Sequence, residues 1–345
     1  MPIKGQPSLG WPFLFQNSIT SFATRCVTLH PICLIFVYLT VYIDSCTDRH
    51  TIRSQTYILI SKSNEQIMTD AISNKFSNNP VITSDKNPTA KLAKALLTQS
   101  RQRKKAGQTV LEGVHLIEAA LQANHLPQQI IISYSGLSHP EVQALLASLN
   151  DYNLDNRLTV VSDSVYQGIT TLGNGVEIMA IVDVPEHNLH TLKSPITTDC
   201  LILNDVQDNG NVGTLLRTAA AVGIKNIICT KGSAQAWSPK TMRAGMGAQF
   251  GLTIYEGIEA DEVLSYLRLP IYATSSHTDN IIYKQNLNRP VAWVMGHEGQ
   301  GVCEDIMKQA TPVALPQPNG QESLNVAIAG ALCMYETLRQ RQYAD

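Results

Sequence analysis

No two of the seven cysteines in this 345-residue sequence stand in a CxxC spacing. The missing pairs argue against a structural zinc site, and the low cysteine density argues against a small secreted domain held by disulfides. The cysteine pattern instead favours a reducing compartment, so we predict a cytoplasmic protein.

Two further signals are missing. The second half of the chain has no GxGxxG fingerprint after its first predicted strand, so an ordinary dinucleotide site is poorly supported. No clean membrane-spanning run is present either. The best candidate, residues 26–43, is uncharged and mostly apolar but contains His30 and Pro31 and lies at the lower limit of a spanning length. A membrane anchor is therefore the less favoured reading of this stretch.

Residues 1–67 differ in composition from the rest of the chain, since they hold four of the six Phe and three of the seven Cys. They also make a poor signal peptide, because no small-residue cleavage pattern follows promptly. A polar lead then begins at Met68. We predict that residues 1–83 are an N-terminal extension that is disordered or not part of the working fold.

The remaining residues alternate between strand and helix patterns. Residues 84–182 predict a small α/β domain, residues 183–198 a polar, proline-containing linker, and residues 199–345 a second α/β domain. The second domain contains short, continuous apolar runs followed by helical periodicity. We therefore predict a mostly parallel sheet covered by helices on both faces.

A local excess of positive charge stands out against the formal net charge of −2. Residues 86–105 contain seven basic residues and no acidic one, which predicts a surface that binds phosphates. A solvated helix face is the alternative. The basic residues are Lys86, Lys91, Lys94, Arg101, Arg103, Lys104 and Lys105.

Two strand exits and one helix start lie close together in the last fifty residues. The apolar run 291–295 is followed by a turn with three glycines, and the run 313–315 ends at prolines. Ser323 precedes a helical pattern whose apolar residues share one face: Leu324, Ala327, Ile328, Ala331, Tyr335 and Leu338. Because ligands bind beyond the carboxyl ends of parallel strands, we predict a binding site here.

Three segments carry a family resemblance: DNGNVGTLLRTAAAVG at 208–223, VMGHEGQGV at 294–302 and LPQPNGQESLNVAIAGAL at 315–332. In content, order and separation they resemble the three motifs of the SpoU (TrmH-like) branch of the SPOUT RNA methyltransferases. The resemblance covers residues 200–341. It continues more weakly into residues 84–182, which look like the family's L30e-like substrate-binding domain through LEGVHLIEAAL at 111–121.

The resemblance implies an enzyme that uses S-adenosylmethionine to methylate a ribose 2′-hydroxyl in structured RNA, with ribosomal RNA favoured over transfer RNA. It also implies a deep trefoil knot in the C-terminal domain, which is a rare exception to the rule that chains are unknotted. A homodimer with the active site near the subunit interface is expected. No metal is needed, since transfer of a methyl group from a sulfonium is an in-line displacement.

Site residues follow from the matching motif positions. Arg217 matches a residue thought to assist deprotonation of the hydroxyl, but a guanidinium is a poor base, so it is also expected to hold phosphate or stabilise the alkoxide. His297 stands where relatives often have Asn, and we predict for it a role in the cofactor loop without proton transfer. The full catalytic set is Asn211, Arg217, Glu298, Ser323 and Asn325, and the cofactor set is Thr274, Ser275, Gly296, His297, Leu315, Gln317 and Leu324. The predicted RNA contacts are Lys91, Lys94, Arg101, Arg103, Lys104, Lys105, Lys240 and Arg243.

Three alternatives stay open. The first is a noncatalytic RNA-binding protein of the same fold, which the complete catalytic set argues against. The second is a nucleotide-dependent enzyme of another doubly wound type. The third is a base methyltransferase, whose product would not protect the RNA from alkaline cleavage.

Overall fold

The structure is a computed structural model that describes residues 80–149, 152, 154–173, 175–319 and 323–343. All of these belong to one compact unit, Ile67–Asp345. The predictions on residues 1–79 lie outside the described residues. Ile82 pairs with Val161, so the ordered fold begins before the predicted start at residue 84. Within the described ranges, no helix combines the length and the apolar character that crossing a membrane requires.

A four-stranded sheet forms the first half of the described chain. Its strands are β1 (Gln108–Glu112), β2 (Gln129–Ser133), β3 (Leu158–Val161) and β4 (Ile178–Asp183). They lie in the order β1-β4-β2-β3. β4 is antiparallel to both neighbours, and only β2 and β3 are parallel.

A six-stranded, fully parallel sheet forms the second half. Its strands are β5 (Cys200–Asn204), β6 (Asn226–Thr230), β7 (Thr253–Ile258), β8 (Ile271–Thr274), β9 (Ala292–Gly296) and β10 (Thr311–Val313). Their order is β10-β8-β9-β5-β6-β7, with all five pairings parallel. Every residue of β5 and β9 is buried, as helix-covered strands require. The predicted parallel α/β domain is confirmed, while the trefoil knot stays a prediction.

Helices cover both sheets. They are α1 (Pro88–Thr98), α2 (Ser100–Ala106), α3 (Val114–Gln122), α4 (Pro140–Leu149), α5 (Asp163–Ile169), α6 (Asn209–Ala221), α7 (Pro239–Gly245), α8 (Glu304–Met307) and α9 (Val326–Gln342). One apolar cluster runs from the four-stranded sheet into the six-stranded one. A second cluster packs on the other face of the larger sheet, and a third lies under α1 and α5.

Several helices differ from what the sequence pattern predicts. Helical spacing over residues 91–102 predicts one helix, but the chain is divided at Gln99, whose backbone is extended, so most of the basic run lies on the separate helix α2. The apolar spacing from Val212 onward predicts a helix start at that residue, but α6 starts at Asn209 because the Asp208 side chain caps it by accepting from Asn211 N. The pattern predicts no helix at the position of α5. Its signal is the cap residue Ser162, which accepts from Val165 N.

The predicted apolar face of α9 is only partly the buried one. Ala327 is buried, but Ile328 and Tyr335 are 54% and 52% exposed. The buried line instead passes through Gly330, where an added Cβ would lie 2.3 Å from a methyl carbon of Leu215. Small residues let α9 approach α6 closely, while Ile328, Leu332 and Tyr335 are left on the outside.

Candidate active site at the carboxyl edge of the parallel sheet

The carboxyl ends of the central strands form the floor of the site. Asn204 at the end of β5 pairs with Gly296 at the end of β9, and β8 ends beside them at Thr274. Asn204 is buried, and its Oδ1 accepts from Cys303 N at 2.8 Å, which holds the loop after β9 against β5. The predicted convergence of strand exits is therefore present.

The loop after β9 closes on itself. Gly296 lies very near this loop, since an added Cβ would sit 2.3 Å from Gly301 C and Val302 N. Any side chain at this position would overlap those backbone atoms. His297 exchanges backbone hydrogen bonds with Gly301 at 2.9 and 3.0 Å. Its ring Nδ1 accepts from Gly299 N at 2.9 Å and Gln300 N at 3.2 Å. The His297 ring thus accepts backbone N–H groups of its own loop, as an Asn side chain could, and its role in the cofactor loop stays a prediction.

Glu298 lies at the tip of this loop and holds the start of α6. Its Oε1 accepts from Asp208 N at 3.2 Å and Asn211 Nδ2 at 3.0 Å, and its Oε2 accepts from Gln207 N at 3.3 Å. Burial acts to raise the pKa of Glu298, but the hydrogen bonds from Asn211 and from backbone N–H groups outweigh it and hold the pKa below its ordinary value. A carboxylate held in its charged form is an anchor and a poor general base.

Asn325 connects the third motif to the first. Its Oδ1 caps α9 by accepting from Ala327 N at 2.9 Å and Ile328 N at 3.2 Å. Its Nδ2 donates to Asn211 Oδ1 at 3.0 Å. Asn211 thus has both ends of its amide occupied, by Glu298 on one side and by Asn325 on the other.

Arg217 and Ser323 lie outside this hydrogen-bond network. Both are exposed, and neither side chain makes a hydrogen bond or an ion pair with another described residue. Arg217 is six residues beyond Asn211 on α6, which is about 9 Å along the helix axis. An exposed guanidinium without a protein partner is available for an external anion.

The predicted cofactor residues surround the ends of β8, β9 and β10. Thr274 Oγ1 donates to Val294 O at 3.3 Å, and Ser275 N donates to Val313 O at 2.9 Å. Leu315 packs against the main apolar cluster, and Leu324 is 38% exposed. The Oε1 atom of Gln317 is buried and has no partner among the described residues. An unpaired buried acceptor beside apolar side chains fits a ligand that offers both a hydrogen-bond donor and an apolar surface.

The eight predicted RNA contacts divide into two groups. Arg103 donates to Leu96 O at 2.8 Å and to Gln235 Oε1 at 2.8 and 3.3 Å. Arg243 forms an ion pair with Glu112 at 2.6 Å. Both arginines thus make contacts within the protein. The other six are exposed: Lys91, Lys94, Arg101, Lys104, Lys105 and Lys240.

Two parts of the site do not follow from the sequence pattern. The polar run 204–210 predicts a loop that includes Asp208, although Asp before the first helical turn is a standard capping signal. The same pattern makes Asn204 the first loop residue, and only the buried contact with Cys303 N reveals its role.

A parallel sheet with three interlocked loops at its carboxyl edge is the arrangement in which α/β proteins hold a ligand. Comparison with known proteins gives the family. The SpoU rRNA Methylase family matches residues 200–335, and the MRM3-like substrate binding domain matches residues 87–180.

An uncharacterised tRNA/rRNA methyltransferase of Synechocystis is 31% identical over 276 residues, covering 76% of this chain and 95% of that protein. The 23S rRNA (guanosine(2553)-2′-O)-methyltransferase RlmP of Bacillus subtilis is 27% identical over 74% of this chain and 97% of its own length.

Solved structures agree. The crystal structure of an RNA 2′-O ribose methyltransferase has a TM-score of 0.63 and 29% identity, and covers 76% of this chain and 99% of that one. The AdoMet-bound rRNA methyltransferase of Sinorhizobium meliloti has a TM-score of 0.66 and 25% identity, with coverages of 77% and 99%. The chain belongs to the SpoU rRNA methylase family, so the predicted family, enzyme class and cofactor are confirmed.

Proposed function

We propose that this protein methylates a ribose 2′-hydroxyl of ribosomal RNA, acts as a homodimer in the cytoplasm, and uses the residues predicted from the three motifs. The observation that carries the proposal is the direct linkage Glu298–Asn211–Asn325, in which one side chain from each motif takes part. Such a linkage holds three loops together at the carboxyl edge of the parallel sheet, as a site that positions reacting groups requires.

S-adenosylmethionine supplies an electrophilic methyl group on a sulfonium. We assign its binding to the loop 296–302 and to the segment that includes Leu315 and Gln317. The unpaired Gln317 Oε1 is suited to accept a hydrogen bond from the ligand, and Gly296 lets the loop 296–302 fold back against the end of β9. Leu324 and Thr274 flank the same region.

Arg217 is proposed to act on the RNA. Arginine keeps its proton at physiological pH, so its role is electrostatic: it holds a phosphate oxygen or stabilises the negative charge that develops on the 2′-oxygen. Its exposure and its lack of a protein partner support this role. Ser323 lies two residues before Asn325, the cap residue of α9, and is proposed to orient the ribose.

The exposed basic residues are proposed to bind the RNA backbone. Lys91, Lys94, Arg101, Lys104 and Lys105 lie on α1 and α2, and Lys240 lies on α7. Such contacts supply affinity that falls with salt concentration and carry little sequence information.

The homodimer is proposed from the outer face of α9. Ile328, Leu332 and Tyr335 are 54%, 45% and 52% exposed and lie on one side of the helix. An apolar stripe at i, i+4 and i+7 is the surface that a second copy would cover. Replacing Ile328 and Tyr335 by Glu should convert the dimer to a monomer in analytical ultracentrifugation, whereas wild type that sediments as a monomer would contradict the dimer.

The activity is tested by mapping 2′-O-methyl groups in total RNA from a deletion strain and its parent by protection from alkaline cleavage. We expect one ribosomal RNA site to disappear and to return with the wild-type gene but not with Arg217→Ala. A site lost from transfer RNA would contradict the ribosomal assignment. No lost site would contradict the activity on ribose.

The Arg217→Ala protein should keep the melting temperature of wild type, because the Arg217 side chain bonds to none of the residues that the structure describes. Its methylation rate should fall about 100-fold or more, the usual cost of removing one charge-stabilising group. If the melting temperature of the variant fell together with its methylation rate, Arg217 would instead have a structural role.

A further inference from the structure

A segment of the domain of the six-stranded sheet, residues 235–250, packs against the domain of the four-stranded sheet. Thr109 Oγ1 of β1 is buried and donates to Trp237 O at 2.7 Å. Gly247 lies so near α3 that an added Cβ would be 2.7 Å from the Ala119 Cβ. The rings of Phe250 and His125 are 5.0 Å apart. The contact is therefore packed as a core, and more than a flexible linker joins the domains.

A buried ion pair lies within this contact. The Glu112 side chain at the end of β1 is 0% exposed, and its Oε2 lies 2.6 Å from Arg243 Nη1 of α7. The same carboxylate accepts from Thr170 Oγ1 and Thr171 N at 2.8 Å and from Thr171 Oγ1 at 2.5 Å. Arg243 Nη1 also lies 3.3 Å from Thr171 Oγ1. The pair thus connects α7 to two separate segments of the other domain.

Helix α7 is joined equally closely to the catalytic helix α6. Asn209 Oδ1 accepts from Ser238 Oγ at 2.8 Å and Thr241 Oγ1 at 2.9 Å. At Gly213 an added Cβ would lie 2.5 Å from the Ala244 Cβ and 2.7 Å from Thr241 O, so the two helices touch backbone to backbone. Any movement of α7 must therefore carry α6, and with it Asn211 and Arg217.

We infer that Glu112 and Arg243 are positioning residues, which fix the orientation of the substrate-binding domain relative to the catalytic helix through α7. This inference rests on the proposed function for its consequence, since a fixed angle between the domains would set where RNA held by one domain meets the site of the other. Arg243 then acts through Glu112 and does not contact RNA. A fully buried carboxylate needs its partner, so Arg243 is committed to it.

The test uses the full-length variants Glu112→Gln, Arg243→Met and the double variant. The KM for a structured ribosomal RNA fragment should rise at least fivefold in each single variant, with kcat and the Kd for S-adenosylmethionine within twofold of wild type. Small-angle X-ray scattering should show a larger maximum dimension. The double variant should be no worse than either single one, because both remove the same interaction.

Two further variants keep the test decisive. Arg243→Lys retains the positive charge without the planar guanidinium, so it should raise the KM for RNA and the maximum dimension by less than Arg243→Met does. This variant replaces Glu112→Gln in the test if Glu112→Gln does not fold. Arg341→Met breaks a comparable ion pair with Asp199 inside the catalytic domain and should lower stability without changing the KM for RNA.

Unchanged scattering in the variants would overturn the inference, as would a loss of cofactor affinity in step with the rise in KM. The scattering measurement needs no RNA, so it judges the positioning pair even if wild type fails to methylate the fragment.

Discussion

Replacing Glu298 by Gln should loosen the start of α6 without unfolding the protein. The carboxylate accepts three N–H donors from other residues at 3.0 to 3.3 Å. A Gln side chain can keep two of them on its remaining oxygen, but its amide nitrogen then faces a backbone N–H. Hydrogen bonds to a charged acceptor stabilise by about 1.5–3 kcal/mol and those to a neutral one by about 0.5–1.5 kcal/mol. Because Glu298 is exposed, we take the lower end and expect a cost of about 1–2 kcal/mol.

The weakened hydrogen bonds hold Asn211 less firmly in place, so the substitution should also lower the methylation rate. A free energy of about 1–2 kcal/mol corresponds to a decrease in kcat/KM of roughly 5- to 30-fold. The assay is methyl transfer to a ribosomal RNA fragment at several cofactor concentrations. Glu304→Gln is the matched control, since Glu304 is 91% exposed and pairs only with Lys308.

The same variant has a distinct pH dependence. The folded pKa of Glu298 lies below its ordinary value of 4.5, so its contribution to stability is present above that pH and is lost as the pH falls through the lower folded value. The difference in melting temperature between wild type and Glu298→Gln should therefore narrow below about pH 4.5. A variant with wild-type kcat/KM, or a gap in melting temperature that stays constant down to pH 3, would refute the reasoning.

Substitutions at three other positions separate the functions of single atoms. Asn325→Asp keeps the acceptor that caps α9 but replaces the donor to Asn211 by an oxygen, so we expect an unchanged melting temperature and a decrease in kcat/KM of about tenfold; Asn325→Ala should also lose about 1 kcal/mol of stability. His297→Asn should bind S-adenosylmethionine within a fewfold of wild type by calorimetry, whereas His297→Ala should bind far more weakly because two backbone N–H groups lose their acceptor. Gly296→Ala should abolish cofactor binding, since the new methyl group would overlap the backbone of Gly301 and Val302, and measurable binding would show that this loop can rearrange.

Local patterns in the sequence predicted what local physics decides. The apolar runs became buried strands, and the three motifs were expected at one edge because parallel strands end together. The residues that were placed less well depend on long-range packing. The buried line of α9 follows Gly330 and not the largest apolar residues, because close helix contact favours small side chains.

The charge pattern of the sequence locates the basic segments but does not predict which groups their arginines bind. Arg103 and Arg243 belong to basic segments, but a guanidinium can satisfy carbonyl or carboxylate acceptors across a domain contact as readily as a phosphate. The acceptors Gln235 and Glu112 are more than 130 residues away along the chain, so no local pattern could reveal the choice.

The linkage Glu298–Asn211–Asn325 also has a consequence for synthesis. Its members are separated by 87 and 114 positions, so the first of them leaves the ribosome long before the last. All ten strands are already made when Asn325 appears. The strands of a nascent chain are thus all synthesised while its three motif segments are still unlinked, and the linkage can form only when the start of the final helix has been made.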